Sequence, residues 1–540
     1  MPERLSALDV SMLALETART PAQVGSVHVL QPGPGGLTLE ALLHRVEDRL
    51  AYVPRYRQRV RTVAYGLAAP VWVDDDAFDL TAHVRRAVLP RPGTDDQLAE
   101  LTARLLGRRL DRSRPLWELY LVEGLQGGRV ALVGKTHLSV VDGIDMVDLL
   151  QVLLDDAPSA DDGEPTAGWR PRREPRPAEL VAGAAWQLAQ DPGLVVENVR
   201  GLLTGAIGAA VAAGEALGEA VGGGTGDAGG AGRRGPGGSP LAGPVSDQRR
   251  LATVTLPLDD LEAVRALTGH RVHDVLLAVV AGGLRGWLLT RGEQLPPGST
   301  LTALVPGSVP ELDARPTALG VQVTAHRQPL PVGEPDAASR LTQVAAGTAG
   351  RPDAAFLVGA APLTELAGFA PPTLHALGLR AVAAAGPGHD LVISDAPGPR
   401  SPRYLGQARL TASWPLPPLS PGHLLAVGLT SYDGEVRVGL VADRDRLPDL
   451  EVLAGCLVDA LAELLAVTPA GATHRVRTSR VSGRAASRRG SGAAGRAPQR
   501  DGGEVAVLRI ARRRGRQQRR ARAASDARLA TPPSAEDLRP

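Results

Sequence analysis

The chain has 540 residues, with 60 Lys and Arg against 58 Asp and Glu, one Cys and no long apolar run. These numbers indicate a soluble protein of two to four domains, and the lone Cys456 excludes an internal disulfide. Hydrophobic residues make up 43% of the chain and aromatic residues only 3%, so we expect a core of Leu, Val and Ala.

The net charge of +2 is the sum of two opposite parts. Residues 471–540 carry 18 Arg and five acidic residues, or +13, which leaves −11 for residues 1–470. Arg outnumbers Lys by 59 to one, a skew typical of a GC-rich genome, so the Arg content does not indicate nucleic-acid binding. We therefore expect no specific nucleic-acid partner for the acidic part.

Residues 1–154 have the pattern of a mixed α/β domain. The residues after Met1 lack a basic segment followed by an apolar one, so we predict no secretory signal and a cytoplasmic protein. Thr38 is placed to cap a helix whose apolar residues keep helical spacing through residues 39–53, before Pro54 ends it.

A hairpin and a helix are predicted next. Residues 116–125 and 129–137 are apolar, strand-like runs separated by Gln-Gly-Gly, which is typical of a hairpin. After Gly143 the apolar residues switch to helical spacing up to Leu154. The local order around His137 is therefore strand, loop and helix.

Residues 155–247 interrupt this pattern. Residues 155–177 are rich in Pro, Asp and Arg, and residues 221–244 are dominated by Gly, so both are predicted to be linkers. Residues 178–220 between them are predicted to be helical. A crossover helix lying on the domains is one interpretation, and a membrane-surface helix is the other, although the basic polar face of such a helix is missing.

Residues 248–467 form a second predicted α/β block. It opens with a buried helix over residues 273–290, continues with strands near residues 301–305, 391–394 and 424–430, and closes with a helix over residues 450–465.

The basic tail, residues 468–540, has no core-forming period and is predicted to be disordered. Solvated disorder, attraction to anionic lipid or nucleic acid, and a gene-boundary or reading-frame artefact are three open explanations for its charge. No aromatic residue lies between its arginines, which argues against stacking on single-stranded nucleic acid.

The residues most suited to chemistry lie between Asp111 and Leu150. His137 ends a predicted strand, and Asp142 and Gly143 follow in the loop. An imidazole can deprotonate an attacking hydroxyl while a nearby carboxylate fixes the local geometry. A structural histidine is the competing interpretation when these residues are considered alone.

This stretch resembles the active-site region of the bacterial wax ester synthase/acyl-CoA:diacylglycerol acyltransferase family, whose signature is HHxxxDG preceded by PLW. Pro115-Leu116-Trp117 matches PLW, and HLSVVDG over residues 137–143 aligns with HHxxxDG. Other segments follow the family's order, including VHDVLLAVVAGGLR from Val272 and SDAPGP from Ser394. The resemblance covers residues 3–467.

The resemblance implies an α/β fold of two domains like chloramphenicol acetyltransferase and other CoA-dependent acyltransferases, with a tunnel between them. Acyl-CoA would enter from one side, and diacylglycerol or a long-chain alcohol from the other. The family's second motif His is the general base, and no metal or cofactor beyond the acyl-CoA substrate is needed. On this basis we predict two catalytic residues, His137 and Asp142, and six substrate-binding residues, Pro115, Trp117, Leu138, Gly143, Ser394 and Asp395.

The sequence departs from the family where the general base should be, because the second motif His is replaced by Leu138. Neighbouring residues of a strand point to opposite faces, so His137 could replace the missing base only with a local bulge or bend. Without a general base, which typically contributes ~10²–10⁴-fold, acyl transfer would proceed slowly by positioning alone.

Three other departures concern the second block. The family's Asn-Asp pair is His273-Asp274 here, its SNxPGP segment is SDAPGP from Ser394, and its Gly-Asn pair is Gly320-Val321. Because the chain has a single Asn, compositional drift is one explanation for these three. His273 is interpreted as a capping or packing residue, with a replacement base as the alternative. Ser394 and Asp395 either shape a loop near the tunnel or form a simple turn. Trp117 is either a tunnel residue or plain core.

Three functions remain in competition. The first is acyl transfer from acyl-CoA to diacylglycerol or a long-chain alcohol, with peripheral association at the inner membrane or at lipid droplets. The second, suggested by Leu138, is a relative that binds acyl-CoA or lipid without turnover. The third is acyl transfer in specialised metabolism, as in condensation domains, against which the PLW segment and the lack of a carrier domain argue.

Overall fold

A computed structural model gives the fold and describes residues 2–63, 68–140, 149–159, 169–190, 239–310, 321–349, 388–396, 398–399 and 401–467. The helices of these residues are α1 Ala7–Leu15, α2 Leu39–Arg49, α3 Leu80–His83, α4 Asp95–Leu106, α5 Leu149–Leu153, α6 Pro177–Gln190, α7 Leu258–Thr268, α8 Val272–Thr290, α9 Ala337–Thr348 and α10 Leu450–Val467. The strands are β1 Gln23–Gln31, β2 Gln58–Arg61, β3 Val71–Asp74, β4 Val84–Val88, β5 Trp117–Glu123, β6 Val130–His137, β7 Arg249–Pro257, β8 Leu301–Pro310, β9 Val321–Leu330, β10 Leu391–Ala396, β11 Tyr404–Leu405, β12 Ala408–Leu416, β13 Leu425–Tyr432 and β14 Glu435–Asp443.

The first half is built on a six-stranded sheet in the order β11-β12-β1-β6-β5-β4. Strands β5 and β6 pair antiparallel across the predicted hairpin, and β6 pairs antiparallel with β1. Because side chains alternate between faces, Leu132 packs into one buried cluster with α2 and α5, whereas Val133 packs into another with α4 and the second half. The sheet is thus covered on both faces.

The second half is built on a sheet in the order β7-β14-β13-β10-β8-β9. Strand β10 runs parallel to both of its neighbours, β8 and β13, while the remaining pairs are antiparallel. The carboxyl ends of β8, β10 and β13 therefore lie on the same edge of this sheet.

Strand β12 ties the halves together. It lies between two strands of the second sheet in sequence, yet it pairs antiparallel with β1 of the first sheet. A Cβ atom at Gly428 or Gly439 would collide with the carbonyl oxygen of Pro415, so these glycines let β12 lie close over β13 and β14. The division into residues 1–154 and 248–467 therefore does not follow sheet membership, because residues 404–416 belong to the first sheet.

Helix α8 is the central helix of the second half. It is long and apolar enough to cross a membrane by length and composition, but 78% of its most apolar window is buried inside the protein. Its side chains pack in one cluster with residues of α9 and α10. We interpret it as a core helix, which agrees with the buried helix expected from the sequence.

The local predictions that the structure tests are largely confirmed. The Thr38 hydroxyl accepts a hydrogen bond from the Ala41 N–H, although α2 ends at Arg49 and a 3₁₀ turn follows it. The predicted strands correspond to β5, β6, β8, β10 and β13, and the closing helix is α10. The helix predicted over residues 178–220 begins as α6, and residues 191–238 lie outside the described residues, as does the tail.

A buried histidine in β1 makes folding sensitive to acid. His28 is 1% exposed, its Nε2 lies 2.9 Å from the Ser26 hydroxyl, and burial lowers its pKa from 6.5 to about 3. Below pH 6.5 the unfolded chain takes up a proton that the folded chain does not. We expect the free energy of unfolding to fall by about 1.4 kcal/mol per pH unit from this group as pH drops from 6.5 toward 3.

Denaturant unfolding of the wild type and of His28→Gln at pH 7.5, 6.5 and 5 checks this expectation. Between pH 6.5 and pH 5, the free energy of unfolding of the wild type should fall by about 2 kcal/mol more than that of His28→Gln. His44→Gln is the matched control, because the His44 side chain is 53% exposed. If the free energy of unfolding of His28→Gln fell with pH as steeply as that of the wild type, His28 would not be the source of the acid sensitivity.

Candidate active site

The carboxyl end of β6 carries His137 in a buried position. Its backbone N–H donates to the Leu116 carbonyl oxygen at 3.0 Å, and its Cα lies opposite Gln23 of β1. The side chain is 1% exposed. The backbone of His137 is therefore held on one side by the residue before β5 and on the other side by β1.

His137 would point in the direction of Leu138 only if β6 had a local bulge, and β6 has none where it pairs with β1. The pairing of β6 with β1 is unbroken from Val130 to His137, so His137 keeps the strand face of Lys135. Leu138 follows the strand, with its N–H donating to the Ala22 carbonyl oxygen at 2.9 Å and its side chain buried. His137 therefore does not occupy the direction of the family's second motif His.

Two contacts from Ser139 fix the protonation pattern of His137. The Ser139 backbone N–H donates to His137 Nδ1 at 3.1 Å, and the Ser139 Oγ lies 2.7 Å from the same nitrogen. Since a backbone N–H can only donate, Nδ1 accepts, and the neutral ring carries its proton on Nε2. In this tautomer Nε2–H is a hydrogen-bond donor and not a proton acceptor.

A polar cluster on the same strand face supports this end of the sheet. Lys135 Nζ lies 3.0 Å from Glu118 Oε2 and donates to the Arg108 carbonyl oxygen at 3.0 Å, and burial lowers the pKa of this lysine. Gln23 Nε2 donates to the same carbonyl at 2.8 Å. These bonds fasten the chain leaving α4 to β1 and β6, next to His137.

The PLW segment lies in the core of the first half. Pro115 and Trp117 are buried, and the Trp117 indole N–H donates to the Tyr56 carbonyl oxygen at 2.8 Å. Its ring stacks on His83 at 4.7 Å and meets the Tyr56 ring edge-on at 5.4 Å. These are the contacts of a core residue, so Trp117 supports the site by holding β5 in place.

The second half presents Ser394 and Asp395 at the carboxyl end of β10, both fully buried. Ser394 pairs with Gly428, on the strand face that packs under β12. Asp395 points to the other face, where its Oδ2 lies 3.0 Å from His273 Nδ1 at the start of α8. His273 is also buried, at 2% exposed.

The capping role considered for His273 belongs to its neighbour. Asp274 Oδ2 accepts from the Arg271 backbone N–H at 3.2 Å, and its Oδ1 accepts from the Thr348 hydroxyl at 2.7 Å. Asp274 thereby closes the first turn of α8 and fastens it to the end of α9. His273 lies beside Asp395.

The remaining predicted site residues, Asp142 and Gly143, lie outside the described residues. So do residues 311–320 and 350–387, which lie between elements of the second half. The expected tunnel between the halves therefore stays a prediction. The described residues bring His137, Leu138 and Trp117 together at one end of the first sheet, and Ser394 and Asp395 together in the second.

Family comparisons agree with this architecture. The family model described as the wax ester synthase/diacylglycerol acyltransferase catalytic domain matches residues 5–276, and the model of the C-terminal domain of the same proteins matches residues 319–465. The chain belongs to the wax ester synthase/diacylglycerol acyltransferase family. The resemblance inferred from the PLW and HHxxxDG-like segments is confirmed.

Named relatives and a solved structure support the same family. A Mycobacterium tuberculosis (strain H37Rv) protein that carries the name diacylglycerol O-acyltransferase is 32% identical over 488 residues, covering 88% of this chain and 93% of that protein. A second protein of that name from M. tuberculosis (strain CDC 1551) is 41% identical, over 49% of this chain and 96% of its own length. The wax ester synthase/diacylglycerol acyltransferase of Marinobacter aquaeolei VT8 is 25% identical with a TM-score of 0.55, covering 85% of this chain and 98% of that one. The expected α/β acyltransferase fold is confirmed.

Sequence reasoning missed two features of the site. The contacts of Ser139 with His137 involve a residue only two positions away, and the signal was the Ser inside the HLSVVDG segment. The contact of His273 with Asp395 was signalled by the simultaneous replacement of two family Asn residues.

Proposed function

We propose that this protein transfers a fatty acyl group from acyl-CoA to the hydroxyl of diacylglycerol or a long-chain alcohol. The observation that carries the proposal is the family match over both halves, with the HHxxxDG-like segment beginning at the buried end of β6. The names of the relatives agree with an acyltransferase that acts on diacylglycerol.

The reaction needs only the two substrates. The acceptor oxygen attacks the thioester carbonyl carbon, the carbon–sulfur bond breaks, and the hydroxyl proton ends on the sulfur of CoA. Acyl-CoA is therefore a substrate, and we propose no further cofactor. The Nε2–H tautomer suits His137 to stabilise the negative charge that develops on the carbonyl oxygen.

The other predicted residues keep their places in this proposal. Trp117 and Pro115 position β5, and Asp142 and Gly143 belong to the loop after β6 as the family motif implies. Of the six residues predicted to bind substrate, the other four, Leu138, Gly143, Ser394 and Asp395, keep that role in the proposal.

The test is release of CoA by the purified full chain. Palmitoyl-CoA is supplied with 1,2-dioleoylglycerol or hexadecanol in detergent micelles, and free thiol is measured against time. Release that depends on the acceptor, with formation of the matching ester, supports the proposal. Cys456 contributes one constant thiol per chain, and a parallel reaction without acceptor measures this background so that it can be subtracted. A protein that releases no CoA and binds neither substrate contradicts it.

A second candidate is a relative that binds acyl-CoA or lipid without turnover. Two observations favour it: Leu138 in place of the family base, and the Nε2–H tautomer of His137. Saturable binding of palmitoyl-CoA with no acceptor-dependent release would select this candidate over the enzyme.

We also propose that the protein works in the cytoplasm at the surface of a membrane or lipid droplet, because its substrates partition into lipid. Trp186 on α6 supports this, since it is 61% exposed and tryptophan favours the interface between lipid and water. The basic residues 471–540 would add attraction to anionic lipid.

Cosedimentation with phosphatidylglycerol vesicles tests this surface role. We expect Trp186→Ala to lower the bound fraction severalfold, and removal of residues 468–540 to make the remaining binding insensitive to salt. Tyr52→Ala is the matched control, since Tyr52 is an equally exposed aromatic residue outside α6. Equal binding by wild type and Trp186→Ala would contradict a role for α6.

A further inference from the structure

The first half has a concave site at the end of its sheet that is remote from His137. A cavity of about 860 Å³ lies between the segment that joins β1 to α2, the carboxyl ends of β4 and β5, and the start of β6. Val130, the first residue of β6, lines it, whereas His137 is the last residue of that strand. At ~3.4 Å per residue, the two ends of β6 are about 24 Å apart. The cavity is therefore separate from the candidate active site.

Glycines keep part of this cavity open. Gly36 and Gly128 line it with φ angles of 72° and 70°, a region of backbone conformation that favours glycine. A Cβ atom added at either residue would meet no atom within 4 Å, so the space beside them is free. Small-molecule sites typically have volumes of ~300–1,000 Å³. The cavity is thus large enough for a lipid-sized ligand.

The buried part of the lining is apolar. Leu125 and Val130 are buried there, and Leu37 is half-buried in the segment before α2. Apolar surface continues beside the cavity, because Val88 is 61% exposed and a Cβ atom added at Gly124 in the cavity wall would lie 3.6 Å from it. An alkyl chain that covered these side chains would remove apolar area from water, which is favourable.

Two arginines line the same cavity, Arg86 from β4 and Arg129 from the residue before β6. Arg86 donates from Nη2 to Glu123. Arg129 donates from Nη2 to Asp95 at 3.0 Å and from Nε to the Gln126 carbonyl oxygen at 2.9 Å. A guanidinium carries five N–H donors, so most donors of both arginines have no acceptor among the described residues. These donors are available to a ligand.

The two acidic residues of the lining do not reverse this preference. Two arginines and two glutamates balance in charge, so the groups that are still free to bind decide between an anionic and a cationic ligand. Glu123 already accepts from Arg86, and Glu40 is an exposed residue in the first turn of α2. The planar guanidinium, in contrast, can bind a carboxylate or phosphate through two parallel hydrogen bonds. The polar part of the cavity therefore suits an anion.

We propose that this cavity binds a single-chain lipid with an anionic headgroup, with Arg86 and Arg129 at the headgroup and the apolar lining along the alkyl chain. This second lipid site goes beyond the proposed acyl transfer and does not depend on it. A long-chain fatty acid and a lysophosphatidate share the required chemistry, which is an alkyl chain that ends in a carboxylate or a phosphate.

Photocrosslinking locates the bound lipid. The full chain is irradiated with palmitate that carries a diazirine on its alkyl chain, and the labelled peptides are identified by mass spectrometry. We expect label in residues 32–40 and 124–130, and displacement of that label by unlabelled palmitate or by oleoyl-lysophosphatidate. The better competitor of the two identifies the headgroup. Hexadecanol, which has the chain without the charge, should compete at least about tenfold less well. No label in these two segments, or equal competition by hexadecanol, overturns the proposal.

Matched variants test the residues. Arg86→Gln is expected to weaken palmitate binding at this site by at least about tenfold, and Leu37→Trp to remove the label by filling the cavity. Arg85→Gln is the control, because Arg85 is the neighbouring exposed residue on the opposite face of β4, and it should be labelled like wild type. Thermal melting shows that each variant is folded.

Unchanged labelling of Arg86→Gln at every palmitate concentration also overturns the proposal. The outcome for this site is independent of CoA release. An active enzyme without displaceable label in residues 32–40 and 124–130 contradicts only the second lipid site, whereas a labelled chain that releases no CoA and does not bind acyl-CoA contradicts only the proposed acyl transfer.

Discussion

Leu138→His is expected to raise acceptor-dependent CoA release by about 100-fold over the wild type. Position 138 is where the family motif carries its base, and it directly follows the end of β6. The substitution supplies an imidazole at the position of the family base, where the chain has only the apolar Leu138. Initial rates of CoA release with palmitoyl-CoA and dioleoylglycerol check the result.

Leu138→Gln is the matched control, since it introduces a polar side chain that cannot take up a proton at neutral pH. A gain of this size would show that the site is degenerate at Leu138, whereas a Leu138→His rate within threefold of the wild type would contradict the expectation.

Trp117→Ala is expected to lower the free energy of unfolding by about 3–5 kcal/mol. The indole is 2% exposed, and its removal leaves a cavity between Tyr56 and His83. It also leaves the Tyr56 carbonyl oxygen without the indole donor at 2.8 Å. Urea unfolding followed by circular dichroism measures the change.

Two matched variants separate the contributions of the ring and of its N–H donor to the stability lost in Trp117→Ala. Trp117→Phe keeps an aromatic ring against His83 but loses the N–H donor, so about 1–3 kcal/mol is expected. Trp186→Ala removes the same side chain from an exposed helix surface and should stay within about 0.5 kcal/mol of wild type. A Trp117→Ala protein as stable as wild type, with only its KM changed, would place Trp117 in a substrate tunnel and not in the core.

Local features of the fold could be predicted because their causes are local in sequence. The Thr38 cap and the hairpin between β5 and β6 follow from spacing, turn residues and one capping hydroxyl. The family could be identified from the order of short segments, and the family models confirm it. These inferences need no knowledge of how distant segments meet.

The missed features depend on distant segments or on hydrogen positions. His273 and Asp395 are 122 residues apart in the sequence, and only the folded chain brings their side chains to within 3.0 Å of each other. Residues 404–416 have an ordinary strand pattern, which does not say which sheet they join. The tautomer of His137 depends on a backbone N–H that bends back from Ser139.

The pairing of β12 with β1 sets an order on assembly during synthesis. When residues 1–154 leave the ribosome, the strand that will cover the free side of β1 is still about 250 residues from being made. Until then β1 is an edge strand with unpaired backbone groups, open to pairing with other chains. The first half therefore completes its sheet only after the second half has been largely synthesised, so a fragment that stops before residue 404 keeps an open sheet edge.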